Sequence, residues 1–120
     1  MDKRERIYIA CPYSSSSDNK HDIPRIVQRN VDKAIGIGNK LREKGHLVYI
    51  PHMSHFMHIH YSNKKDSGQE YWYDFDNSFI DYWATALFFL GHSIGADREL
   101  ERAKRLKLKI YRRLKDVPRI

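Results

Sequence analysis

At 120 residues with 41% hydrophobic side chains, the chain suits one hydrophobic core and is too short for two ordinary domains. Its one cysteine, Cys11, excludes an internal disulfide, and its longest apolar run, Ala84–Leu90, is far too short to cross a bilayer. The net charge of +7 is uneven: residues 98–120 carry 10 basic and 3 acidic side chains, while residues 1–97 carry 12 of each.

Residues 1–120 are therefore read as a single domain. The start, Met1 to Arg6, is charged and lacks the apolar region of a secretory leader, so a cytoplasmic protein is expected. Arg6–Cys11 reads as a buried strand closed by Pro12, followed by a polar loop from Tyr13 to Asp22 that contains four consecutive serines. Pro24 suits the first turn of a helix, in which Val27, Val31, Ala34, Ile35, Gly38 and Leu41 recur at helical spacing before a stop at Lys44-Gly45. His46–Ile50 is a second short strand, ended by Pro51. A segment with four histidines and a polar turn through Lys64–Gly68 precede a helix over about Glu70–Trp83. Ala84–Leu90 then predicts a strand, Ser93–Leu106 a helix and Lys107–Arg112 a last strand. This alternation implies an α/β fold. We expect a doubly wound, flavodoxin/Rossmann-like parallel sheet of four or five strands with flanking helices, its ligand outside the carboxyl ends of the strands.

Two acids fall on the wrong side of their helices. At about 100° per residue, Trp72, Phe75, Phe79 and Trp83 form one apolar stripe, with Asp74 and Asp81 opposite it as solvated acids should be. Asp76 lies four residues after Trp72 and four before Ile80, on the inward face. In the next helix Ala96, Leu100, Ala103 and Leu106 share a face, Glu101 lies opposite, and Glu99 sits on the apolar side. Burial raises a carboxyl pKa and suits it to acid–base or nucleophilic chemistry. Either acid alone fits a structural role, Glu99 as a helix-start acid favoured by the macrodipole and Asp76 as an acid bonded to backbone or to a basic side chain. Two such acids near one sheet edge point to a site.

Other signals are weaker. Ser93 suits an N-cap, and Gly95 permits a ligand to approach the backbone N–H groups of a helix start, a natural seat for a phosphate or sugar hydroxyl. Gly36-x-Gly38 lies inside a helix, not between strand and helix, so it fails as a dinucleotide fingerprint. His52, His55, His58 and His60 match no metalloenzyme spacing and have no nearby cysteine; contact of His52 with a substrate base fits better than metal binding. The basic residues from 98 onwards run through a helix and strand that the core needs, with no aromatic platform beyond Tyr111, which weighs against a polynucleotide partner.

Four stretches, spanning residues 6 to about 112, then carry a resemblance. They are Ile7–Ala10; Gly45-His46 with Pro51-His52; Tyr71-Trp72, Asp76 and Phe79-Ile80; and Ser93-x-Gly95-x-x-x-Glu99 leading through Ala103. In order and spacing they resemble the nucleoside 2-deoxyribosyltransferase-like family, which includes the 2′-deoxynucleoside 5′-phosphate N-hydrolases. The resemblance implies Glu99 as the nucleophile at the anomeric carbon. It implies Asp76 as the group that binds sugar hydroxyls or helps protonate the leaving base, Tyr8 as a contact of the nucleophilic carboxylate, and Ser93 at the 5′ end or its phosphate. Where the hydrolase branch has a Gly- and Arg-rich loop, this chain has Cys11-Pro-Tyr-Ser-Ser-Ser-Ser17. Tyr13, Ser14, Ser15 and Arg25 are the candidates to bind substrate in its place. No metal and no cofactor is implied.

Hydrolase and transferase both stay open, as do a non-catalytic nucleotide-sensing module and a basic nucleic-acid adaptor. A homo-oligomer, most simply a dimer, is expected, because exposed aromatics around Tyr71–Trp83 are numerous for so small a surface.

Overall fold

The computed structural model describes residues 3–13, 21–53 and 69–120. Strand β1 (Arg6–Ala10) is central because both of its faces are apolar: Ile7 and Ile9 point one way, Tyr8 and Ala10 the other, and all four are fully buried. It pairs in parallel with β2 (Leu47–Tyr49) on one side and β3 (Ala86–Phe89) on the other, and β3 pairs in parallel with β4 (Lys109–Tyr111). The described residues thus form a four-stranded sheet in the order β2-β1-β3-β4. The order reverses between β1 and β3, where open sheets of this kind bind their ligands.

Helix α1 (Ile23–Glu43) covers the Ile7/Ile9 face through Ala34 and Leu41. Helices α2 (Gln69–Tyr82) and α3 (Ile94–Arg105) cover the Tyr8/Ala10 face through Ile80, Ala96, Leu100 and Ala103. The leucines and the isoleucine among these are each worth about 1.5–3 kcal/mol when taken out of water, and the alanines less. Pro24 occupies the first turn of α1, where no N–H is needed. Gly38 brings that helix close to the end of β2: a Cβ there would come within 2.5 Å of Ile50 Cδ1.

At the amino ends of the strands the chain ties itself together with polar groups. Glu5 is buried, yet it accepts from Thr85 Oγ1 (2.7 Å) and Tyr111 (3.1 Å) and pairs with Lys109 Nζ (3.1 Å). Burial alone would raise its pKa; the hydrogen bonds from Thr85, Lys109 and Tyr111 outweigh it and hold the carboxyl below the usual range. His46 is buried beside it, accepting the Glu5 N–H at Nδ1 (3.0 Å) and meeting the Pro118 carbonyl with Nε2 (2.7 Å), so the neutral ring carries its proton on Nε2. The last residues return to the end of α1. Lys44 Nζ donates to the Leu114 and Val117 carbonyls (2.6 and 2.7 Å), the Ile120 N–H donates to Lys44 O (3.0 Å), and Val117 enters the core.

Three expectations about side-chain faces need correction. Of α2, only Ile80 is fully buried; Trp72, Phe75, Phe79 and Trp83 are half-buried, because the stripe leans on the end of β2, with Phe79 stacked on Tyr49 at 3.8 Å between centroids. The axis that faces the core is rotated toward Ile80 and Asp76. Asp81 is no free solvated acid, since Arg102 of α3 donates to both its oxygens at 2.6 Å and locks the two helices together. Leu106 is exposed, because α3 stops at Arg105 and Lys107 turns the chain with φ 61°.

Gly45, after α1, has φ +103°, and a Cβ on it would meet Ile120 Cγ1 at 2.6 Å. Gly36, within α1, has open space around it. Urea denaturation should therefore show Gly45→Ala destabilised by at least about 1–2 kcal/mol and Gly36→Ala stabilised by about 0.5–1 kcal/mol.

Candidate functional site

The carboxylates singled out in the sequence converge on the sheet face shared by α2 and α3. Tyr8 and Tyr49 are register partners on adjacent parallel strands, with ring centroids 5.5 Å apart. The Tyr8 hydroxyl donates to Glu99 Oε2 of α3. The Tyr49 hydroxyl donates to Asp76 Oδ1 of α2 at 2.8 Å. Two phenol–carboxylate pairs therefore lie side by side, and the other oxygen of each carboxylate has no protein donor among the described residues.

Several features hold Glu99 in place. Ser93 caps α3, its Oγ accepting the Ala96 N–H at 3.0 Å, a contact worth about 1 kcal/mol. Ala96, Leu100 and Ala103 seat the same helix on the sheet, and the Asp81–Arg102 pair fixes its angle to α2. Glu101 points to solvent, as its phase predicts.

The electrostatics differ sharply from those at Glu5. That acid is buried beside a lysine and held below its usual pKa. Among the described residues neither Glu99 nor Asp76 forms an ion pair. Burial pushes the Glu99 carboxyl up to about 8; the Tyr8 hydrogen bond opposes this, and the charge of Asp76 adds to it. Burial likewise raises Asp76 to about 6, against the Tyr49 hydrogen bond. Both tyrosines have pKa values well above the usual, first through burial and then through the facing carboxylates, so they remain donors. An acid kept for structure is matched with a cation; these two are matched with phenols and with each other, as groups poised for proton transfer or nucleophilic attack are.

The remaining candidates are distributed around this centre. Gly95, in the first turn of α3, has nothing among the described residues within 4 Å of where a Cβ would stand, and they leave that helix start open to approach. The Ser93 oxygen is used in capping, but its hydroxyl hydrogen can still be donated to a ligand. His92 pairs with Asp97 at 2.9 Å and packs against Phe89, whose ring also carries the Arg112 guanidinium at 5.2 Å. His52 is buried, with Nε2 bonded to the Pro12 carbonyl at 2.8 Å and its ring 5.7 Å from that of Tyr13, so it joins the loops that follow β1 and β2. Tyr13 is also held through its carbonyl by Asn30 Nδ2 (2.8 Å). Arg25 lies exposed on the first turn of α1, 3.6 Å from Asp22. Ser14, Ser15, His55, His58 and His60 lie outside the described residues.

Tyr49 was missed in the sequence. Nothing local distinguishes it from a core tyrosine, because its role depends on the register that sets it beside Tyr8.

No protein-family model and no curated protein matches the chain. Among solved structures it matches a 2-deoxyribosyltransferase from the psychrotolerant bacterium Bacillus psychrosaccharolyticus, with a TM-score of 0.63 and 17% identity over 88% of this chain and 69% of that one. The two share a fold. At that identity the likeness speaks for the architecture alone, and at that level the resemblance read from the sequence holds.

The raised Glu99 pKa has a consequence for stability. Below about pH 4.5 the group is protonated in the folded and the unfolded chain alike, and it alters nothing. As the pH rises the unfolded chain ionises first, so the native state loses stability until the full penalty is reached above about pH 8. Glu99→Gln should melt at a higher temperature than the wild type at pH 8, and the difference should shrink toward zero by pH 4. A variant less stable at pH 8 would contradict the assignment of a strained carboxylate.

Proposed function

We propose that the protein cleaves or transfers at the N-glycosidic bond of a deoxyribonucleoside or its 5′-monophosphate, with Glu99 as nucleophile. The observation that carries this reading is the pair of unmatched carboxylates, each held by a tyrosine, at the switch point of a fold shared with a 2-deoxyribosyltransferase. In this mechanism the ionised Glu99 attacks C1′ of the sugar while the bond from C1′ to the base nitrogen breaks. The electron pair leaves with the base, which takes a proton from Asp76. A glycosyl ester on Glu99 remains. Water, or a second base, then attacks C1′, its proton passes to Asp76, and the Glu99 carboxylate is restored. Tyr8 stabilises the carboxylate as it forms and as it leaves.

The cationic character of the sugar in the transition state fits two acids that are paired with no cation among the described residues. With Glu99 raised to about 8 and Asp76 to about 6, the shared proton starts on Glu99, and attack is preceded by its passage to Asp76, which an electron-poor anomeric carbon beside Glu99 favours. The open start of α3, with Ser93 and Gly95, is the proposed seat of the 5′ end of the sugar or its phosphate.

The test is product analysis after incubation with panels of deoxyribonucleosides, ribonucleosides and their 5′-monophosphates, with and without a second free base. Release of free base supports the reading, and formation of a new nucleoside when a second base is present identifies a transferase. Glu99→Ala should lower turnover by on the order of 10³-fold or more, about 4 kcal/mol in barrier. The solvent-facing Glu101→Ala should leave it unchanged and shift stability by no more than about 0.5 kcal/mol. Ligand binding by wild type without any base release would favour a nucleotide-sensing module instead.

A further inference from the structure

The tyrosine of β2 occupies an unusual position. Its ring is stacked on Phe79 (3.8 Å, 9° between planes) and lies beside Tyr8, so its hydroxyl has little freedom of direction. That hydroxyl is spent on one oxygen of Asp76. The phenol stays protonated, so Oδ1 acts as an acceptor, and a proton held by Asp76 sits on Oδ2. Oδ2 has no donor among the described residues.

We propose that Tyr49 is a positioning residue for Asp76: it fixes Oδ1 so that Oδ2 alone carries and delivers the proton. This rests on the proposed glycosidic reaction and adds a residue to it. The stack on Phe79 links the proton-carrying group to the half-buried aromatic stripe of α2, and Phe75, at 6.4 Å from Tyr49, extends the same cluster. Among the described residues, the titratable groups coupled to Asp76 are Tyr49 from β2, Tyr8 from β1 and Glu99 from α3, the last two electrostatically. Burial disfavours its ionisation and the Tyr49 hydrogen bond favours it, so removing that one donor moves the Asp76 titration in one direction, upward from about 6.

A purely structural tyrosine would contribute only its ring, which Tyr49→Phe retains. The experiment combines carbon-13 NMR titration of the aspartate carboxyls in the full chain with steady-state kinetics on whichever substrate the wild type turns over. Tyr49→Phe is expected to raise the Asp76 midpoint, to lower kcat by about 10- to 100-fold with KM nearly unchanged, and to move the corresponding limb of the pH profile upward. Incorporation of 3-fluorotyrosine at position 49, a stronger donor, should lower the midpoint and keeps the test open if the phenylalanine variant folds poorly. In an Asp76→Asn background, Tyr49→Phe should bring little further loss. An unchanged Asp76 midpoint in either variant, or a wild-type kcat and pH profile in Tyr49→Phe, overturns the proposal. A wild-type protein that cleaves no nucleoside overturns the reaction instead, and with it the catalytic half of this inference, while the NMR titration still decides whether Tyr49 governs Asp76.

Discussion

Tyr8 and Glu99 each solve a problem for the other. The phenol stands on the central strand with no exposure, and a buried hydroxyl needs an acceptor. Glu99 faces the core from the first turns of α3, where water solvates its charge poorly, and it needs a donor. Their hydrogen bond spans 91 residues of sequence and fixes where α3 lies over the sheet. The rest of the α2/α3 layer follows from that placement. The Ser93 cap begins the helix at the end of the β3 connection, the alanines allow it to sit close to the strands, and Arg102 reaches Asp81 to hold α2 alongside. Asp76 is thereby brought to the same face, within reach of the second tyrosine.

The two ends of the sheet use acids in opposite ways. At the amino ends of the strands Glu5 gathers Thr85, Tyr111 and Lys109, its charge is stabilised, and the network joins β1, β3 and β4. At the carboxyl ends the acids face phenols and one another, an arrangement that costs stability at neutral pH. A fold that accepts this cost at one end while satisfying every acid oxygen of Glu5 at the other separates scaffold from site. The glycosidic reading draws on that separation: a carboxylate too well solvated or paired with a cation would be a poor nucleophile toward an electron-poor carbon.

Much of this was legible because it depends on local periodicity. The inward phase of Asp76 and Glu99, the outward phase of Glu101, the Ser93 cap and the alternation of strands and helices all follow from spacing along one element. What escaped depends on how elements meet. The register that pairs Tyr8 with Tyr49 is set across two strands more than 40 residues apart in sequence and leaves no local trace. Asp81 has the phase of a solvated acid, and only the approach of α3 gives it Arg102. The bond from His52 Nε2 to the Pro12 carbonyl joins two loops 40 residues apart and likewise has no local trace. The aromatic stripe of α2 is legible as periodicity, but the part of the helix that is buried is not, because neighbouring elements rotate the buried axis to Ile80.

The central claim is that the Glu99 carboxylate forms a bond to the sugar, and covalent trapping tests it most directly. The fluorine of a 2′-deoxy-2′-fluoronucleoside destabilises both oxocarbenium-like transition states and slows formation and breakdown of the glycosyl-enzyme, which can then accumulate. Intact mass spectrometry of the full chain should show the wild type gaining the mass of one fluorinated sugar with release of the free base, and peptide mapping should place the adduct on Glu99. Base release from the natural nucleoside with the adduct on another residue, or with no adduct while Glu99→Ala retains full activity, would contradict the account.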